Sequence, residues 1–172
     1  GQSSGEERFL ATARETLERS RVMRVRLLGP GHPSLGESLN ELAMLALEQR
    51  DLEASVRYAR QNLAVIAPLG LSRRTLSAQA SLMATLAASE PAEALALFDE
   101  ARTALEGAEL SSPVREFQQS HVEALVAVGR EKEALTEGRV WLAERERALG
   151  KVHPDVLTLA AGVSRAAAAL GP

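Results

Sequence analysis

Apolar residues recur along this chain at steps of three and four, and the stripes they form are interrupted by short polar or Gly/Pro-containing stretches. The clearest stripe is Leu52, Val56, Ala59, Leu63 and Ile66, closed by Pro68-Leu69-Gly70. Spacing of this kind puts one apolar face on an α-helix. The same reading predicts a first helix over residues 6–28, with Phe9, Ala13, Leu17, Val25 and Leu28 on one face and Gly29-Pro30-Gly31 as its stop. It then predicts helix hairpins over 33–68, 72–106 and 112–149, turning at Gln49-Arg50-Asp51, Ser89-Glu90-Pro91 and Gly129, and a last alanine-rich helix over 154–170. Ser72 is the expected cap of the second hairpin. No segment alternates as a half-buried strand would, and the Ala- and Leu-dominated composition favours helix throughout.

The stripes also repeat. Ala54, Ala94 and Ala134 each follow a Glu and open an amphipathic run, and they are 40 residues apart. Leu28-Gly29-Pro30-Gly31-His32-Pro33 returns as Leu149-Gly150-Lys151-Val152-His153-Pro154, and a step of 19 residues back from each His reaches Ala13 and Ala134. Four equivalent alanines are therefore marked. Self-similarity with helical patterning at this period predicts an all-α chain of about seven to eight helices, stacked as hairpins into one solenoid over residues 1–172. A small side chain at the recurring position lets the two helices of a hairpin approach closely. In this frame the chain holds an unpaired second helix, three hairpins and an unpaired first helix, so an apolar stripe at each end is expected to be covered by further sequence or by a second copy. The start at Gly1 rather than Met is what a segment of a longer protein would show.

Composition narrows the function. A net charge of −3 and a pI near 5.7 supply no basic footprint for nucleic acid. There is no cysteine, no secretory leader pattern and no apolar run near membrane-spanning length, so a cytoplasmic protein is expected. The basic residues are 18 Arg against 2 Lys, a bias in keeping with a GC-rich bacterial genome.

Candidate chemistry is sparse. Two of the three histidines, His32 and His153, sit in equivalent His-Pro turns and serve as turn or cap residues, while His121 lies on an apolar helix face between Phe117 and Leu125, where a hydrogen-bonded core imidazole is expected. Gly29, Gly31 and Gly36 lack the preceding strand and the following Gly-Lys-Ser/Thr of a phosphate loop. No catalytic residue, metal site or cofactor is predicted.

The segment His32-Pro33, Leu39-Asn40-Glu41-Leu42-Ala43, Glu53-Ala54, Tyr58 and Leu69-Gly70 resembles a tetratricopeptide repeat (TPR) of the kinesin-light-chain type, in which H-P-x-x-A-x-x-L-N-N-L-A is followed by G-x-Y-x-E-A-x-x-L-Y and L-G. The resemblance extends over nearly the whole chain and returns at Gly129, Glu133-Ala134, Leu149-Gly150 and His153-Pro154. Glu41 replaces the second Asn of the pattern, Ala161 stands where the last copy would carry the first, and Leu71 to Leu110 has neither the Asn pair nor the His-Pro. The resemblance implies a right-handed superhelix of antiparallel hairpins whose first helices line a concave groove for a peptide or partner protein. It also implies a rival setting, a regulatory or sensor region of a bacterial serine/threonine kinase or transcription regulator, while the unpaired terminal helices of the repeat frame offer a third reading, a scaffold that forms homodimers through them. The repeat frame places Glu37, Asn40 and Met44 of the first hairpin and Glu116, Gln119 and Glu123 of the third on the groove face, an acidic rim suited to a segment with basic and apolar side chains. Arg73 and Arg74, at the start of a helix where they oppose its dipole, are candidates for an anion contact.

Overall fold

In a computed structural model that describes residues 2–70, 73–105 and 108–171, the chain forms eight α-helices, and no strand occurs among these residues. They are α1 (Gln2–Leu28), α2 (Ser34–Glu48), α3 (Leu52–Ile66) with a short 3-10 turn Ala67–Leu69, α4 (Arg73–Ser89), α5 (Pro91–Leu105), α6 (Ser112–Ala127), α7 (Glu131–Leu149) and α8 (Pro154–Ala169). Two compact units, residues 1–85 and 86–172, divide within α4. The expected cap Ser72 lies outside the described residues.

In the first unit α2 packs along both α1 and α3. The predicted stripe of α2 is its buried face, with Leu35, Leu39, Leu42 and Ala46 all in the core. Polar residues fix how α3 returns. Asp51 caps it by accepting from the Ala54 backbone N–H at 3.2 Å, and the same carboxylate takes Arg14 of α1 at 3.3 Å. The buried Ser55 hydroxyl donates to the Ala43 carbonyl of α2 at 2.8 Å, and Tyr58 donates to Glu18 of α1 at 2.5 Å. The face of α1 read from periodicity is only partly covered: Phe9 is 72% exposed and Leu28 49% exposed.

The turns from α2 to α3 and from α6 to α7 share one geometry, which the α4–α5 turn at Glu90-Pro91 does not follow. Asp51 N–H reaches back to the Ala46 carbonyl at 2.9 Å, and Arg130 N–H to the Leu125 carbonyl at 2.8 Å, closing the ends of α2 and α6 alike. The residue before each donor is left-handed: Gly129 has φ +77°, but the equivalent position carries Arg50 at φ +58°. A side chain there costs about 1–2 kcal/mol that glycine avoids, less the extra chain entropy glycine loses. Arg50→Gly is expected to stabilise the fold by about 0.5–1 kcal/mol, read as a higher urea midpoint.

In the second unit α5, α7 and α8 all pack against α6, and α7 also packs along α8. Phe117, Val122 and Leu125 of α6 and Leu159 of α8 are fully buried at the centre. Close approach depends on Gly138 of α7, where a Cβ would come within 2.6 Å of Val163 Cγ2 and 3.3 Å of Val122 Cγ2. Three of the four recurring alanines are buried as well, Ala54 at 2% exposure and Ala94 and Ala134 at 0%, whereas Ala13 of α1 is only half-buried. Enlarging one overpacks its site, so Ala94→Leu is expected to lower stability by about 1–3 kcal/mol, and an unchanged melting temperature would contradict this packing role.

Both His-Pro turns are structural. His32 Nδ1 accepts from Ser34 N–H and His153 Nδ1 from Asp155 N–H, each at 3.2 Å, so each imidazole satisfies a free donor at the start of the helix that follows.

Candidate interaction clefts

Each unit carries a cleft beside the first helix of its hairpin. In the first unit a space of about 140 Å³ opens between α2 and α4, above α3. Glu37 and Asn40 line it from α2, Asn62 and Ile66 from α3, and Arg74 and Ser77 from α4. Gly36 lets α2 approach α3 closely at the floor, because a Cβ there would stand 2.8 Å from Ile66 Cδ1 and 2.9 Å from Asn62 Oδ1. In the second unit a space of about 250 Å³ lies between α6 and α8, lined by Glu116, Gln119 and Arg115 of α6, Arg145 of α7, and Asp155 and Thr158 of α8.

The two clefts share one unusual feature. Asn40 and Gln119 occupy equivalent repeat positions, and the side-chain carbonyl oxygen of each is buried with no hydrogen-bond partner among the described residues. The other end of Gln119 is fixed, since its Nε2 donates to Glu123 at 2.7 Å. A buried acceptor without a donor carries a penalty of about 1–3 kcal/mol, which an incoming N–H relieves.

The charges around these amides are mixed. Glu37 Oε2 lies 3.5 Å from Arg24 of α1, and Glu123 lies 3.6 Å from Arg165. Arg115 and Asp155 pair across the second cleft at 2.5 Å. Burial holds the Glu116 carboxyl above its ordinary pKa. Arg145 is 1% exposed; its guanidinium donates to the Arg115 carbonyl, to the Asp155 carbonyl at 3.0 Å and to Gln118 Oε1 at 3.1 Å, and burial lowers its pKa to about 10.

Of the residues picked from sequence, the structure brings Glu37, Asn40 and Arg74 into one cleft and Glu116 and Gln119 into the other, with Glu123 beside Gln119. Met44 is exposed on α2 and Arg73 is exposed on α4, and neither is among the residues that line these clefts. Asn62, Arg115, Asp155, Thr158 and Arg145 were not anticipated. A signal existed for Asp155 and Thr158, which follow His153-Pro154 on the same helix face as the predicted inner residues.

The expectation for His121 needs correction. It is buried, but neither ring nitrogen has a hydrogen-bond partner. Nε2 is 3.1 Å from Glu137 Oε2, off the line of a hydrogen bond, and the ring instead stacks on Phe98 at 3.8 Å and meets the Trp141 edge at 5.7 Å. Burial first, then the positive charge of Arg102, pull its pKa down to about 4. Aromatic packing has taken the place of the hydrogen bond.

No group of three or more His, Cys, Asp or Glu placed to hold a metal ion occurs among the described residues, and no described helix is long and apolar enough to cross a membrane. No protein-family model matches the chain, and no curated protein matches it. Two solved structures of a candidate kinesin light chain from Podosopora anserina with nearly identical TPR-like repeats, one of them a variant, superpose over 99% of this chain with TM-scores of 0.77 and 0.75. They cover 82% and 83% of those chains, at 22% sequence identity. The chain has the TPR-like repeat fold. In TPR-like terms α2, α4, α6 and α8 are first helices and α1, α3, α5 and α7 second helices, so both clefts run between successive first helices of the repeat.

Proposed function

We propose that this chain is a non-enzymatic interaction module that holds a peptide or a segment of a partner protein against its first helices. The observation that carries this reading is the matched pair of orphaned amide oxygens on Asn40 and Gln119. An extended segment offers backbone N–H groups at intervals along its length, and a rotation of either amide side chain toward its cleft brings the unpaired oxygen to meet one. The clefts carry Arg74, Arg115 and Arg145 as well as Glu37 and Glu116, and Glu37 and Glu123 already face Arg24 and Arg165, so the segment is held chiefly through its backbone. Stacked helix hairpins are suited to binding extended ligands rather than to assembling a catalytic site. The fold and the absence of cysteine fit a cytoplasmic setting.

Selection of binders from a random peptide library, followed by anisotropy titration of the enriched sequences, tests the reading. Extended peptides are expected to emerge, and Asn40→Ala or Gln119→Ala is expected to weaken them by roughly tenfold, the loss of one buried hydrogen bond. Failure to enrich any sequence, or affinities unchanged by both Asn40→Ala and Gln119→Ala, would refute it.

A second reading, association of two copies through α1, rests on Phe9, Met23 and Leu27, which are 72%, 60% and 74% exposed and fall on one strip of that helix. It expects a solution mass that rises with concentration and returns to the monomer value on Met23→Glu.

A further inference from the structure

A further space in the second unit lies in neither cleft. Between α5, α6 and α7 lies a cavity of about 650 Å³, within the range that encloses small organic ligands. Its walls are mostly apolar, with Phe98 and Leu105 from α5, Val114 from α6, and Val140 and Trp141 from α7. The Phe98 and Trp141 rings pair at 6.0 Å with a tilt of 56°, giving one side of the cavity an aromatic surface.

Charge decides what this surface suits. Glu137, Trp141 and Glu144 occupy positions i, i+4 and i+7 on α7 and all line the cavity. The neighbouring cations are already engaged. Arg102, which itself lines the cavity, pairs with Asp99 at 2.8 Å and sits 5.6 Å from the Phe98 ring centroid, and Arg130 grips Glu133 through two contacts of 2.8 and 2.7 Å, which leaves the two glutamates of α7 as the uncompensated charges of the wall. Among the described residues neither Glu137 nor Glu144 has an Arg or Lys partner within ion-pair distance, and the one contact to Glu137 is the buried imidazole of His121. Two unpaired carboxylates therefore flank a tryptophan at the edge of an apolar space.

A neutral apolar guest would take water away from these carboxylates without replacing it, and an anion would be repelled. A cation with a hydrocarbon body satisfies both parts of the wall. From the charge and shape of the wall we infer that this cavity binds an organic cation, its ammonium held by Glu137 and Glu144 against Trp141 and its apolar body filling the space toward Phe98, Leu105 and Val114. None of these residues belongs to the two clefts, so the site stands or falls apart from peptide binding.

Trp141 is the sole tryptophan of the chain and reports on the site by its own fluorescence. Titration at pH 7 with phenylbutylammonium, phenylbutanol and phenylpentanoate separates charge from shape, because the three share one phenylbutyl group. The ammonium is expected to saturate the signal at least roughly tenfold tighter than the alcohol, with the carboxylate weakest. Glu137→Gln combined with Glu144→Gln is expected to bring the ammonium to the affinity of the alcohol. Equal binding of ammonium and alcohol, no saturation by the ammonium, or a preference that survives the double substitution would overturn the assignment. If the double variant does not fold, Glu144→Gln alone, at an exposed position, is expected to reduce the ammonium preference, and no reduction would overturn it equally.

Discussion

Acidification from pH 6.5 to pH 4 is expected to destabilise the fold by about 3 kcal/mol through His121 alone. The imidazole is neutral in the folded chain, where burial and the charge of Arg102 lower its pKa to about 4, and it titrates near the ordinary 6.5 once unfolded. Between these values the unfolded chain binds the extra proton, so stability falls as pH falls. The contribution is complete above pH 6.5 and is lost on the way to pH 4. Asp99, Glu133 and the adjacent Glu137 favour the protonated ring, while Arg130 opposes it with Arg102. Glu137 and Glu116, both raised chiefly by burial, act in the opposite sense by taking up protons earlier in the folded state. The difference between wild type and His121→Leu isolates the histidine. Urea midpoints across this window should fall more steeply in the wild type, and parallel curves would show that His121 titrates normally.

Arg145→Met is expected to lower stability by about 3 kcal/mol. The guanidinium joins three helices, since it starts from α7, donates to the Arg115 carbonyl and Gln118 of α6, and donates to the Asp155 carbonyl at the start of α8. Methionine fills much of the volume but supplies no donor, which leaves Gln118 Oε1 buried and unpaired. Hydrogen bonds to a charged group contribute about 1.5–3 kcal/mol each, offset in part because the desolvation that depresses the Arg145 pKa is relieved. Urea unfolding measures the loss. A variant as stable as wild type would show that desolvation cancels the network.

What the sequence reveals and conceals follows from the range of each interaction. The stripes of α2 and α3 and the turns at His32 and His153 are set by residues within a turn or two, and periodicity finds them. The buried alanines are legible because the hairpin repeats. Periodicity identifies a face but not what covers it, and Phe9 remains exposed on the face read for α1. Asn40 and Gln119 could be placed on one face by counting, but their unpaired oxygens depend on the local packing of other helices. Arg145 reads as one more charge on a polar helix, and only the meeting of α6, α7 and α8 shows it buried. The contact of Gly138 with Val163 and Val122 is equally distant in sequence and left no local trace.

The most direct test of peptide binding by the first helices is amide chemical-shift mapping with a selected peptide. The account predicts perturbations centred on Asn40 and its neighbours Glu37 and Ser77, or on Gln119 with Glu116 and Thr158, and their loss in Asn40→Ala or Gln119→Ala respectively. Perturbations confined to the exposed faces of α3 and α7, unchanged by either substitution, would contradict it.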